Sequence, residues 1–196
     1  MILTIGHSNH EVAQFIDLLV QHEVTAVADV RSSPHSGRFP QYCQNALRAS
    51  LREADIAYVF LGDVLGGRPT PSLLTPEGYA DYPRMSQKSI FLKGLGRLRR
   101  GADIYNLVVM CAEADPADCH RALLIGRQLA ACALPVEHIH RDGRVESHTR
   151  LESRLLDLAG LAHDDFFTPF AERLDAAYRH RSARVAWRAE MPEGEE

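Results

Sequence analysis

Long apolar runs are missing from this chain: none approaches the roughly 20 consecutive apolar residues a membrane-spanning helix needs, so no integral membrane role is expected. Cysteine is sparse. The four present, Cys43, Cys111, Cys119 and Cys132, lack the spacing of a disulfide framework, and a chain of 196 residues buries enough core to fold without staples. Surplus positive charge is absent too. With 22 Lys and Arg against 26 Asp and Glu, and a formal charge of −4, nucleic acid or an anionic membrane could be met only through a local patch. The opening residues MILTIGHSNHEV have neither a cationic lead nor a small-residue cleavage site and do not read as a signal peptide, so the expected compartment is the reducing cytoplasm. Internal repeats and low-complexity tracts are missing as well.

What is present is an alternation of two periodicities. Short apolar runs rich in Val, Ile and aromatics at residues 2–5, 26–30, 56–60, 104–110 and 136–139 read as buried strands. Between them lie helical patterns. Residues 9–22 place Val12, Phe15, Ile16, Leu19 and Val20 on one stripe, and Ser8 with Glu11 forms a capping-box spacing ahead of it. Residues 44–54 and 119–133 read as further helices. Residues 76–100 hold one or two, broken near Pro83 or Gly94, with Gly101 as the stop. Strand and helix alternating over residues 2–140 predict an α/β fold, a mostly parallel sheet of about five strands covered by helices. Past the turn signal Asp142-Gly143 the pattern is helical alone, over 149–161 and 168–187 with a polar break at 163–165. The expected organisation is an α/β domain over 1–148, a helical C-terminal extension over 149–190 and a flexible tail over 191–196.

In an open parallel sheet, ligands bind outside the carboxyl ends of the strands. After the first predicted strand come Gly6, His7 and Ser8; near the end of the second stand Asp29 and Arg31; after the fourth come Cys111 and Glu113. Loops are polar in any case, so no one of these residues is diagnostic, but their convergence on one edge makes that edge the candidate site. The segment Gly62 to Thr75, with three glycines, two prolines and few apolar anchors, is read as a surface wander or a mobile cover, and has no phosphate-loop spacing. The run Arg97, Arg99 and Arg100 falls in the last turn of a predicted helix, where cations favour the dipole.

The stretch CAEADPADCHR, Cys111 to Arg121, is the densest in chemistry. Asp115 is a good N-cap and Pro116 suits the first helical position, so a helix is expected to begin there. Cys119 shares a stripe with Ala122, Gly126, Leu129 and Ala133 and is expected to face the sheet as a small buried residue. Cys111 lies near the positive end of the following helix, which favours a thiolate, although Glu113, Asp115 and Asp118 oppose it. A phosphatase loop is excluded, because six positions after either cysteine stand Ala117 and Ile125 instead of arginine. Spacing also counts against a metal: the two cysteines are eight apart, and only His138-x-His140 offers two ligands on one strand face. No residue is assigned to a metal, and the cofactor is left open. Arg121 has two roles open to it, an ion pair with Glu113 or Asp29, or a fork for an anionic substrate.

Thr4-Ile5-Gly6-His7-Ser8-Asn9, Asp29-Val30-Arg31 with Pro34 and Ser36, Leu65-Gly66-Gly67, Cys111-Ala112-Glu113, Cys119-His120-Arg121 and His138-Ile139 occur in this order. With these motifs the chain, over residues 2 to about 148, resembles the bacterial and archaeal family called domain of unknown function 488. The resemblance implies a compact α/β fold and a site at the motif residues His7, Ser8, Asp29, Arg31, Cys111, Glu113, Cys119, His120 and Arg121, without naming a reaction. The expected function is an enzyme acting on an anionic, phosphate-bearing or nucleotide-like ligand. His7, Cys111 and Glu113 are its candidate catalytic groups, and Ser8, Asp29, Arg31, Cys119, His120 and Arg121 its candidate ligand-binding groups. The alternatives are a non-catalytic nucleotide or nucleic-acid binding module, and a buried ion-pair network of Asp29, Arg31, Glu113 and Arg121 that only organises the strand ends. No membrane partner is expected, nucleic acid is the weaker partner, and the oligomeric state is open.

Overall fold

Where the expected strands fall, the computed structural model, which describes residues 1–163 and 167–189, has a six-stranded sheet. The strands are β1 (Ile2–Gly6), β2 (Ala26–Asp29), β3 (Ala57–Phe60), β4 (Leu107–Cys111), β5 (Val136–Ile139) and β6 (Val145–Ser147), in the order β3-β2-β4-β1-β5-β6. All neighbours are parallel except β6, which returns antiparallel to β5. The sixth strand follows from the turn at Asp142-Gly143, where Gly143 takes φ +83°, too short a strand to show a period of its own. The described helices are α1 (Val12–Gln21), α2 (Gln44–Glu53), α3 (Gly62–Leu65), α4 (Tyr82–Ser86), α5 (Ser89–Ala102), α6 (Arg127–Ala131), α7 (His148–Ala159) and α8 (Phe170–Val185). A wider π-helical stretch, Arg121–Gly126, leads into α6. The tail expected over 191–196 lies outside the described residues, as do Asp164 and Asp165 of the expected polar break.

Alternation along the strands sorts the core onto two faces. Leu3, Ile5, Val27, Val108 and Met110 pack with Phe15, Leu19, Leu47 and Leu51 under α1 and α2. Ala28, Val109 and Cys111 point the other way, into a core completed by Leu98, Leu123, Ile125, Leu151, Leu155 and Tyr178. The chain leaves β1 toward one face and the adjacent β4 toward the other. That divergence opens a crevice at the carboxyl ends of β1 and β4, the position where open α/β sheets hold ligands.

Several local expectations are corrected. Ser8 does not cap α1: the helix begins at Val12, Ser8 sits at φ +50°, and its hydroxyl donates to Asn9. The β1–β4 ladder explains this, because the N–H groups of His7 and Ser8 continue it onto the carbonyls of Cys111 and Ala112. Gly101 does not stop its helix, which runs to Ala102, and Ile104 and Tyr105 are exposed turn residues ahead of β4. Pro83 opens α4 and Gly94 sits buried inside α5, so neither breaks a helix. The start of the segment after Gly62 is anchored by α3, whose Leu65 is fully buried, while Arg68 and Thr70 to Ser72 are exposed. The helix expected from Asp115 is split. Asp115 does cap, accepting from the Ala117 N–H at 2.8 Å, but the 3₁₀ turn Pro116–Asp118 ends in an extended Cys119 before helix resumes.

Candidate active site

A cavity of about 790 Å³ occupies the crevice. Of the residues singled out from the sequence, His7, Ser8, Arg31, Cys111, Glu113 and His120 line it, while Asp29, Cys119 and Arg121 stand behind that lining. Arg38 and Arg68, which no sequence motif marked, add exposed cations to its wall, and Val185 and Trp187 close it from the end of α8.

Asp29 and Arg31 form a buried two-pronged ion pair: Nε donates to Oδ1 at 2.9 Å and Nη2 to Oδ2 at 2.6 Å, and Tyr58 donates to Oδ2 at 2.9 Å. Burial works against the Arg31 charge, but Asp29 outweighs it and raises the guanidinium above its ordinary value. The remaining nitrogen, Nη1, lies 3.3 Å from His7 Nε2. His7 Nδ1 lies 2.9 Å from the Ser8 carbonyl, and the ring stacks on Tyr42 with centroids 4.0 Å apart. Burial first, and Arg31 second, bring His7 down to about 4, so the ring is neutral at pH 7 with Nδ1–H donating to Ser8 and the Nε2 lone pair facing Arg31.

The thiols sit deeper. Cys111 and Cys119 both reach Glu113 Oε2, at 3.0 and 2.9 Å, and lie 3.6 and 3.9 Å from His120 Nδ1. Glu113 is exposed along the cavity, yet its carboxylate is turned inward onto both sulfurs. The thiolate expected at Cys111 is not favoured there: its hydrogen bond with Cys119, followed by burial, holds the thiol well above its ordinary value. Burial opposes ionisation of Cys119 as well, but the Cys111 hydrogen bond, Arg121 and His120 outweigh it and hold that thiol well below. Burial, then Cys119, raises Glu113, while His120 is raised because Cys119 and Glu113 overcome the burial of its ring. The cluster thus favours the thiolate at Cys119, with Cys111 keeping its proton beside it.

The surroundings hold this cluster in place. Arg121 is completely buried and forms no side-chain ion pair with Glu113 or Asp29. It donates instead to the backbone carbonyls of Glu113 at 2.6 Å and Ala114 at 3.0 Å, clamping the loop after β4. That loop folds over Gly6 so tightly that a Cβ there would lie 1.8 Å from the Glu113 oxygen. A Cβ on Gly67 would lie 2.7 Å from the His120 ring, which accounts for a glycine at this position. Asp115 is forked by Arg154 of α7, with both nitrogens at 2.8 Å, and Asp118 pairs with Arg181 of α8. Two of the three acids expected to oppose a thiolate, Asp115 and Asp118, are therefore neutralised by the C-terminal helices, whereas Glu113 bears directly on both sulfurs.

His138 and His140 do not act together. His138 bonds Thr4 and His148, whereas His140 Nε2 lies 2.9 Å from Glu146 Oε2. The grouping that spacing argued against is the one present among the described residues: one donor atom from each of Cys111, Glu113, Cys119 and His120, all within 4.8 Å of one another. The signal for it was a donor pair at a strand end followed by a donor pair at a helix entry. Its spacing resembles no common metal motif because the strand-to-helix turn, and not a helical repeat, brings the pairs together.

No helix among the described residues is long and apolar enough to cross a membrane. No curated protein and no solved structure matches the chain. A family model described as "Domain of unknown function DUF488" matches residues 11–127, a segment that contains Asp29, Arg31 and the whole thiol cluster and begins just after His7 and Ser8. On that match the chain belongs to the family named domain of unknown function DUF488.

Proposed function

We propose that this protein is an enzyme acting on an anionic, phosphate-bearing or nucleotide-like ligand in the cavity between β1 and β4. One juxtaposition carries the reading: Arg31, Arg38 and Arg68 line the same cavity as Cys111, Glu113 and His120. Arginine forks suit phosphate oxygens, and a cavity of about 790 Å³ falls in the size range of small-molecule sites. The cations supply recognition. The reacting groups are at the floor, with His7 neutral beside Arg31. Arg121, being enclosed, supports the loop and does not meet the ligand.

The test is calorimetric titration with inorganic phosphate and a nucleoside monophosphate, with product formation followed in the same mixtures. Arg38→Ala and Arg68→Ala are each expected to weaken binding about tenfold, the loss of one charge-assisted contact. Wild-type protein that binds neither anion sinks the reading, and binding without turnover of any phosphate ester reduces it to a binding module.

A further inference from the structure

Four side chains aim one donor atom each at a common point. Cys111 comes from the end of β4, Glu113 from the loop after it, and Cys119 and His120 from the entry to the π-helical stretch. A tetrahedral zinc ion, with Zn–S near 2.3 Å and Zn–N near 2.0 Å, spans sulfur-to-nitrogen edges of about 3.5 Å. The sulfurs lie 3.6 and 3.9 Å from His120 Nδ1, close to that edge. The sulfur-to-carboxylate separations, 3.0 and 2.9 Å, are tighter and need to open by about half an ångström. We propose that Cys111, Cys119, His120 and Glu113 bind a zinc ion, with Glu113 at the cavity-facing position.

The groups behind these donors support a metal. His120 Nε2 lies 3.1 Å from the Val30 carbonyl, so that nitrogen carries the hydrogen and Nδ1 turns its lone pair to the sulfurs, the usual arrangement of a metal-ligating histidine. The Arg121 N–H donates to Cys119 Sγ at 3.4 Å, and its guanidinium holds the loop that carries Glu113. Paired thiolates with an imidazole favour zinc over the hard cations. Cys111, Cys119 and His120 are buried, whereas Glu113 is exposed to the cavity, so the carboxylate is the ligand that can exchange. A redox dithiol would need only the two sulfurs; it gives no reason for an imidazole and a carboxylate to converge on them.

This inference shares the cavity of the proposed anion site and does not depend on it. Metal content is measured on reduced protein as purified and after reconstitution with zinc, and the chelated protein is titrated with Co²⁺ to read the thiolate-to-metal charge-transfer band. The expected result is about one zinc per chain and a band with the intensity of two thiolates, the zinc being lost in Cys111→Ser and Cys119→Ser and kept in Cys132→Ser. Glu113→Gln, which keeps the other three ligands, is expected to bind about tenfold or more weakly. The wild-type cobalt spectrum counts thiolates without any variant, so a cysteine variant that fails to fold does not decide the matter. Zinc retained in both folded cysteine variants, no metal after reconstitution, or a Cys111–Cys119 disulfide in its place overturns the proposal. Phosphate binding is read separately: Arg38→Ala is expected to weaken anion binding about tenfold and keep the metal, so the two readings fail independently.

Discussion

His138 Nε2 lies 3.0 Å from His148 Nδ1, at the middle of a buried chain that runs from Thr4 to Glu152. Tyr178 donates to Glu152 at 3.1 Å, so its oxygen accepts from His148 Nε2 at 2.8 Å; His148 Nδ1 then accepts from His138, whose Nδ1 accepts from Thr4 at 2.7 Å. Every bond points the same way only if both rings are neutral. Burial, with Arg127 next, lowers His148 to about 4, and burial with His148 lowers His138 well below 6.5. Glu146 pulls His148 the other way.

An unfolded chain protonates these rings near 6.5, so below that pH it binds more protons than the folded protein. Stability is complete above 6.5 and is lost as pH falls toward 4, by about 1.4 kcal/mol per pH unit for each such histidine. His7, also down to about 4, acts in the same direction. Urea midpoints measured from pH 7.5 to 5 are expected to fall steadily below 6.5; a flat profile would contradict neutral buried rings.

Tyr178→Phe removes the group that links His148 to Glu152 and leaves a buried N–H unpaired. A loss of roughly 1–3 kcal/mol is expected in urea unfolding at pH 7.5, with the cavity residues unaffected in their chemical shifts.

Asp29→Asn leaves Arg31 buried without its counter-charge. Breaking one partner of such a pair costs roughly 3–5 kcal/mol, so the melting temperature should drop sharply, whereas Tyr58→Phe removes only one neutral donor and should cost about 1 kcal/mol. Equal effects from the two would contradict the pair as the main support of that strand end.

Gly67→Ala places a methyl group against the His120 ring, while Gly37, with nothing within 4 Å of its added Cβ, serves as the control. The first is expected to lose about 1–3 kcal/mol and shift the His120 ring resonances, the second to do neither. An unmoved His120 signal in a folded Gly67→Ala protein would mean that the ring is not seated against this backbone.

Arg121→Met exposes the carbonyls of Glu113 and Ala114 to an apolar neighbour. With two partly buried acceptors unpaired, a loss of roughly 2–5 kcal/mol in chemical denaturation is expected, and Arg121→Lys should recover less than half because an ammonium cannot reach both oxygens as a planar fork does. Full recovery with lysine would mean that charge alone matters at this position.

The amino-acid sequence by itself determined the parallel α/β architecture and the edge of the sheet where polar residues gather. Those follow from local rules: apolar runs such as Val108 to Met110 can only be buried strands, and the residues after them can only emerge at one edge. Helix ends were less legible. Ser8 has the chemistry of a cap, but pairing of the His7 and Ser8 backbone with β4 claimed it first, and no sequence window of one helix contains β4. What tertiary structure alone decided is the use of the donors. Cys119, which reads as a core residue, meets Cys111 on a shared carboxylate because an extended residue interrupts the helix; Arg121, which reads as an ion-pair partner or an anion fork, donates to carbonyls because the loop folds over Gly6. Arg154 and Arg181 arrive from α7 and α8 to neutralise Asp115 and Asp118. Such roles depend on distances between segments far apart in the chain, and electrostatic and coordination energies follow distance in space, not separation in sequence.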